Sequence, residues 1–267
     1  MSIHDSRLIL IYCCCVAAAL GAVMGSFLNC AAWRIANEKS FLKGRSCCPA
    51  CGHTLGALDL IPLFSWLFLR GKCRYCGVKV SVRYFLAELF MALLTVVCLL
   101  RYDLTVVCLR NYIFLCCLFC LSLVDLENYT IPDGCLLISA FAWLLALPLT
   151  AMSWREALLH LLAAVIFGGG LLLLSLVMDR ILKKDSLGGG DIKLYFVVGL
   201  YLGIAGTLFS LLLACVLGLL FAFLRKVIGK EKKEQIPFGP SIAAAAAVML
   251  LFGDPMIRWY LGLISVA

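Results

Sequence analysis

Leu187-Gly188-Gly189-Gly190-Asp191-Ile192-Lys193-Leu194 sets a carboxylate between three glycines and the start of an apolar run. Upstream lies the polar segment Asp179-Arg180-Ile181-Leu182-Lys183-Lys184-Asp185, so Asp191 stands where the chain passes from a polar loop into a stretch that can enter a bilayer. Asp125 ends another apolar run in the same manner. Two carboxylates from separate spans, brought to one membrane face, can share a proton and activate a water for peptide hydrolysis.

The rest of the chain fits a membrane setting. Of 267 residues, 64% are hydrophobic and 14% charged, and the mean hydropathy is +1.06, more than a water-soluble core of this length requires. The formal net charge of +8 is carried in the loops between apolar runs, which points away from nucleic acid and toward the cytoplasmic loops of a polytopic membrane protein. Most of the 16 cysteines lie inside apolar runs, where a free thiol behaves as a small hydrophobe.

Eight spans follow, about the length a bilayer needs. They cover roughly Leu8 to Leu28, then 84–100, 106–125, 131–150, 157–178, 192–205, 207–224 and 239–257. The first has no clear small-residue cleavage site and reads as a retained helix rather than a signal peptide. Within it Gly21 and Gly25, four apart, suit close helix packing. The sixth span is short and contains glycines, and either tilts or forms a hairpin with the seventh. Residues 37–83 carry eight cations against Glu38 and Asp59, which marks that loop as cytoplasmic. Counting on from it, 126–130, 179–191 and 225–238 lie inside, while 101–105, 151–156 and both termini lie outside. Asp125 and Asp191 then share the cytoplasmic face.

Within the basic loop stand Cys48-Pro49-Ala50-Cys51-Gly52 and Cys73-Arg74-Tyr75-Cys76-Gly77, with 21 residues between the pairs. Each C-x-x-C-G turn points two thiolates at one centre, so Cys48, Cys51, Cys73 and Cys76 form a candidate four-thiolate Zn2+ site. Two disulfides or a redox dithiol are the alternatives, and Cys47 offers a looser substitute for Cys48. Between the knuckles, Leu58 to Leu69 is too short to span; it either lies in the membrane interface by way of Trp66 or packs within the module.

Asp125 sits at the carboxyl end of its helix, where the dipole disfavours an anion, whereas Asp133 beside Pro132 has a capping role open to it, as has Thr130. Asp191 at a helix amino terminus could be only a cap; paired with Asp125 beside a glycine hinge, it reads as half of a catalytic dyad. Lys193 either reaches the interface or balances local charge.

Several motifs in order resemble the bacterial type IV prepilin peptidases, bifunctional aspartic peptidases and N-methyltransferases. They are Gly25-Ser26-Phe27-Leu28-Asn29 with Arg34; the two C-x-x-C pairs; Asp59-Leu60-Ile61-Pro62; Arg83-Tyr84 with Glu88; Ile131-Pro132-Asp133; Gly188-Gly189-Gly190-Asp191; and Ile236-Pro237-Phe238-Gly239-Pro240. The resemblance implies catalytic aspartates at Asp125 and Asp191. It also implies removal of a basic leader from prepilins or pseudopilins at the cytoplasmic face of the inner membrane, then methylation of the new amino terminus by S-adenosyl-L-methionine. It divides the chain into a first transmembrane helix at 1–36, a zinc-binding loop at 37–83 with the methyltransferase part, and a peptidase core at 84–267. The expected fold class is an all-α polytopic membrane protein of about eight transmembrane helices with a cytoplasmic zinc-binding loop. The loop is poor in acids, so Glu127, Asp133 and Asp185 near the dyad are the expected dock for a basic leader. Membrane lipid is a partner, nucleic acid is not, and the sequence leaves the oligomeric state open. The alternatives are a transporter or channel using the two acids as an ion site, and a membrane-anchored zinc scaffold.

Overall fold

The computed structural model describes residues 3, 6–40, 44–183, 187–227 and 237–266, without the side chains of 261 and 263–266. Lys43, Lys184, Asp185, Lys230, Lys232, Lys233 and Ile236, which entered the charge and motif readings, lie outside the described residues. The elements are α1 (Arg7–Ala36), a 3-10 turn (Ala57–Leu60), α2 (Phe64–Phe68), α3 (Val82–Tyr102), α4 (Val106–Asn128), α5 (Asp133–Ala146), α6 (Trp154–Leu182), α7 (Gly189–Val227) and α8 (Gly239–Val266). Among the described residues six helices are long and apolar enough to cross a membrane, and Asp133–Leu149 adds a shorter apolar segment. This is the expected all-α, multi-pass membrane architecture. The chain divides into two compact units, Met1–Cys108 and Leu109–Ala267.

In the first unit α1 packs along α3 through its small residues. A Cβ on Gly25 would come within 2.7 Å of the Ala87 carbonyl, and one on Gly21 within 2.6 Å of the Met91 carbonyl. The backbones therefore touch, as the four-residue glycine spacing anticipates.

In the second unit α7 is where the structure refines the sequence reading. The spans expected at about 192–205 and 207–224 are two arms of one element, separated by Gly203 at φ 64°, ψ −172°, a backbone conformation available to glycine and strained for other residues. The arms fold back. Gly190 lies against Ile131 and Gly218 against the Phe238 ring, and Ile131 and Phe238 line the same cavity. On a straight helix Gly190 and Gly218 would stand ~42 Å apart. The hairpin option is thus the one the chain adopts.

The first arm, Gly189–Leu202, is about 21 Å long, less than the ~30 Å hydrocarbon core, so the bend falls at membrane depth. Irregular backbone is tolerated there only where protein satisfies it. His160 Nδ1 lies 2.8 Å from the Leu200 carbonyl, and the Thr207 hydroxyl donates to the Gly203 carbonyl at 2.6 Å. Around the same bend the Tyr201 hydroxyl donates to the Ser139 carbonyl at 2.8 Å, and the Tyr201 ring stacks on Phe114 at 3.9 Å. Arg110 is buried with its Nε donating to Asn111 and its guanidinium 5.5 Å from the Tyr201 ring centre. Of Gly168, Gly169 and Gly170 in α6, only Gly168 meets a neighbour, the Phe196 side chain, so only it brings α6 close against α7.

Candidate active site and candidate metal centre

Asp125 lies near the carboxyl end of α4 and Asp191 in the first turn of α7. Both line one cavity of about 780 Å³, whose wall includes Tyr129, Ile131, the Gly188–Gly190 backbone and Phe238. The structure therefore brings the two sequence-predicted carboxylates together within one unit, across 66 residues of chain (191 − 125). Two like charges in one cavity repel when both are ionised, which favours a pair that shares a proton. Asp125 is buried, and its Oδ2 accepts the Gly239 N–H at 2.9 Å. That hydrogen bond fixes one carboxylate oxygen and leaves Oδ1 for the cavity. The approach needs a glycine, because a Cβ on residue 239 would lie 2.7 Å from the same oxygen.

The glycine stretch is shaped by the same logic. Asp191 N–H donates to the Gly188 carbonyl at 3.0 Å, closing the first turn, and Gly190 presents its Cα to Ile131 with room for little more. The result is a cavity wall of bare backbone, open to an extended peptide.

Asp133 departs from the capping role expected for it. The N-cap of α5 is Pro132, without a side-chain cap, and the Asp133 carboxylate instead takes Lys193 Nζ at 2.8 and 3.0 Å. Lys193, two residues beyond Asp191, lines the same cavity as Asp133. Of the three acids expected to dock a basic leader, Asp133 thus has its charge offset, and Asp185 lies outside the described residues.

The four cysteines converge as well. The Sγ atoms of Cys48, Cys51, Cys73 and Cys76 all lie within 4.8 Å of one another, with Cys48 and Cys76 at 3.9 Å. A tetrahedral zinc at ~2.3 Å from each sulfur sets neighbouring sulfurs ~3.8 Å apart, so the cluster fits the ion. The two knuckles are built alike. Gly52 and Gly77 each have φ 70° and donate to the carbonyl of the first cysteine of their pair, while the N–H groups of Cys48 and Cys73 bond to His53 and Val78. Cys47 is exposed and pairs its backbone with Thr54, so the tighter Cys48 turn supplies the thiol. The backbone N–H groups of Cys51 and Ala50 pull the Cys48 thiol down to about 6, against the effect of burial. Cys76 goes the other way, to about 11: the Val78 N–H lowers it, but burial and the three facing thiols raise it. A dication bound at the centre of the four sulfurs would offset the repulsion between facing thiolates.

Asp59 fastens the knuckles. It accepts from Gly56 N–H and the Tyr75 hydroxyl, both at 3.1 Å, and pairs with Arg74 Nε at 2.8 Å. Although burial acts against the anion, these donors hold its carboxyl below the usual range. Trp66 packs within the module: its indole N–H reaches the Val80 carbonyl at 3.4 Å and its ring lies 5.1 Å from Phe85.

Three contacts escaped sequence reasoning: Asp125 with Gly239, Asp133 with Lys193, and buried Glu88 accepting the Leu63 N–H at 2.7 Å. Each joins residues distant in sequence. The signals available were glycine at the head of an apolar run and an acid placed within one.

The model of the bacterial peptidase A24 N-terminal domain matches residues 19–102, and that of the type IV leader peptidase family matches residues 112–223. A prepilin leader peptidase/N-methyltransferase of Bacillus subtilis is 32% identical over 244 residues, 90% of this chain and 95% of the relative. Proteins of the same name from Aeromonas salmonicida and Myxococcus xanthus are 35% and 36% identical, over 82% and 74% of this chain and 75% and 59% of their own. No solved structure matches the chain.

Proposed function

This chain belongs to the type IV leader peptidase family, and from that premise we propose that it removes the basic leader of prepilins or pseudopilins with Asp125 and Asp191 as its catalytic pair. The observation that carries the reading is the single cavity lined by both carboxylates and by bare glycine backbone. With one proton between them, the ionised aspartate takes a proton from water, and the water oxygen attacks the scissile carbonyl. The protonated aspartate hydrogen-bonds the carbonyl oxygen and then supplies the proton that the leaving amine needs. Gly239 N–H keeps Asp125 in one rotamer for both steps.

Both acids lie at helix ends rather than mid-span, which supports a site at one membrane face over a midplane ion site. The Lys- and Arg-rich loops supply the orientation: the cytoplasmic face of a bacterial inner membrane. In the relatives the same name covers an N-methyltransferase, and we assign that step to the loop at 37–83, with the core at 84–267 as peptidase. S-adenosylmethionine would supply the methyl group. Asp59 is already engaged by Gly56, Tyr75 and Arg74, so it holds the module rather than a sulfonium. Zinc held by Cys48, Cys51, Cys73 and Cys76 would act structurally, since four thiolates leave it no open position.

The test is mass spectrometry of a co-expressed prepilin's amino terminus. Asp125→Asn and Asp191→Asn each abolish leader removal while the protein still inserts and accumulates. Wild-type cleavage by either variant refutes the pair.

A further inference from the structure

The zinc loop carries an apolar face of its own. Leu58, Leu60, Ile61, Phe64, Leu67 and Phe68 fall within eleven residues and are 43–82% exposed. So dense a patch marks an interaction surface. The segment is also held in place. Asp59 ties its start to the second knuckle, and Trp66 ties its middle to Val80 and Phe85. The Leu63 N–H is bound by buried Glu88 of α3, and Leu63 itself has φ 63°, a conformation that strains a non-glycine residue. Glu88 lies six residues beyond Val82, the first residue of α3, which is ~9 Å along the helix axis. The contact therefore draws the loop down beside a spanning helix instead of leaving it above the surface.

We propose that Leu58–Phe68 rests in the bilayer, with its six apolar side chains in the headgroup–acyl boundary of the leaflet that receives the start of α3. Lipid is the occupant because the segment is tied by Glu88 and Phe85 to α3, a helix long and apolar enough to span a membrane, whose Val82, Leu86 and Phe90 are also exposed. Exposed Arg70, Lys72 and Lys79 follow it and match anionic headgroups. The proposal rests on α1 and α3 spanning a membrane and not on the peptidase assignment. It keeps the knuckles against the membrane surface.

Two experiments on the full chain, in nanodiscs of phosphatidylethanolamine and phosphatidylglycerol, test it. In the first, a phospholipid with a diazirine-bearing acyl chain is photolysed with unaltered protein, and labelled peptides are identified by mass. Residues 57–69 take label within a few-fold of α3, whereas the knuckle around Tyr75 takes several-fold less. Label on α3 with none on 57–69 overturns the proposal. In the second, p-benzoylphenylalanine replaces Phe68 or, as a control, Tyr75, with zinc content reporting that the module is folded. Phe68 yields a phospholipid adduct. An adduct to a second copy, to another stretch of the same chain, or equal yields at both positions overturn it.

Discussion

Replacing Gly239 with alanine tests the geometry of the cavity more sharply than removing either carboxylate. The added Cβ would lie 2.7 Å from Asp125 Oδ2, 3.1 Å from its Cγ and 3.3 Å from its Cβ, so the whole carboxyl group has to move. It cannot move and keep its 2.9 Å bond to the residue 239 amide. A hydrogen bond to a charged group is worth ~1.5–3 kcal/mol, and each ~1.4 kcal/mol on a barrier is tenfold in rate. Displacing a reacting group by ~1 Å costs on the order of a hundredfold. The two routes agree on a loss of roughly ten- to a hundredfold in kcat, with the aspartate still present. Kinetics of leader cleavage on one purified prepilin, beside Gly169→Ala as a control with open space around it, measure the effect. Because Gly239 and the four cysteines belong to different compact units, zinc content stays at the wild-type level. If Gly239→Ala cleaves at the wild-type rate, the amide plays no part in arranging Asp125, and the reading of the cavity as a preorganised active site is wrong.

Purified protein holds one zinc per chain by metal analysis, and Cys51→Ser or Cys76→Ser loses it; a metal-free wild type with reduced thiols removes the metal site. Gly203→Ala lowers stability by ~1–3 kcal/mol through its positive φ, since the new Cβ would meet His160 at an ordinary 3.5 Å, and a fluorescence-detected melt reads the change. Lys193→Gln releases Asp133 from an exposed pair worth ~0.2–1 kcal/mol and removes a cation near a basic leader. The KM for a basic leader therefore falls, by at most about fivefold, and the gain shrinks as salt rises. An unchanged or raised KM at low salt would mean that the leader does not pass this edge of the cavity.

What the sequence made legible follows from where its signals are local. Apolar runs of bilayer length, C-x-x-C-G turns and a glycine-flanked aspartate are each complete within a few residues, so the spans, the thiolate cluster and the shared cavity were all readable. The turn at Gly203 was only half readable. Residues 192–224 have Gly199, Gly203, Gly206 and Gly218 in an unbroken apolar stretch, and nothing local says which glycine leaves helical geometry. The choice is made by His160 and Thr207, which satisfy the backbone there. Asp133 was misread for the opposite reason. Its local context offers a helix cap, and a lysine 60 residues away offers a stronger partner.

The bond between Gly239 and Asp125 also sets an order on biogenesis. The ribosome makes Asp125 and Asp191 well before Gly239, the first residue of α8. Until α8 inserts, Asp125 lacks the only backbone donor that fixes its carboxylate among the described residues. A nascent or truncated chain ending before Phe238 thus carries both acids and an unfinished cavity. If Asp125 and Asp191 are the catalytic pair, a chain stopped short of residue 239 cleaves no leader, and joining of α8 to the carboxyl end of α4 is the step that switches the cavity on.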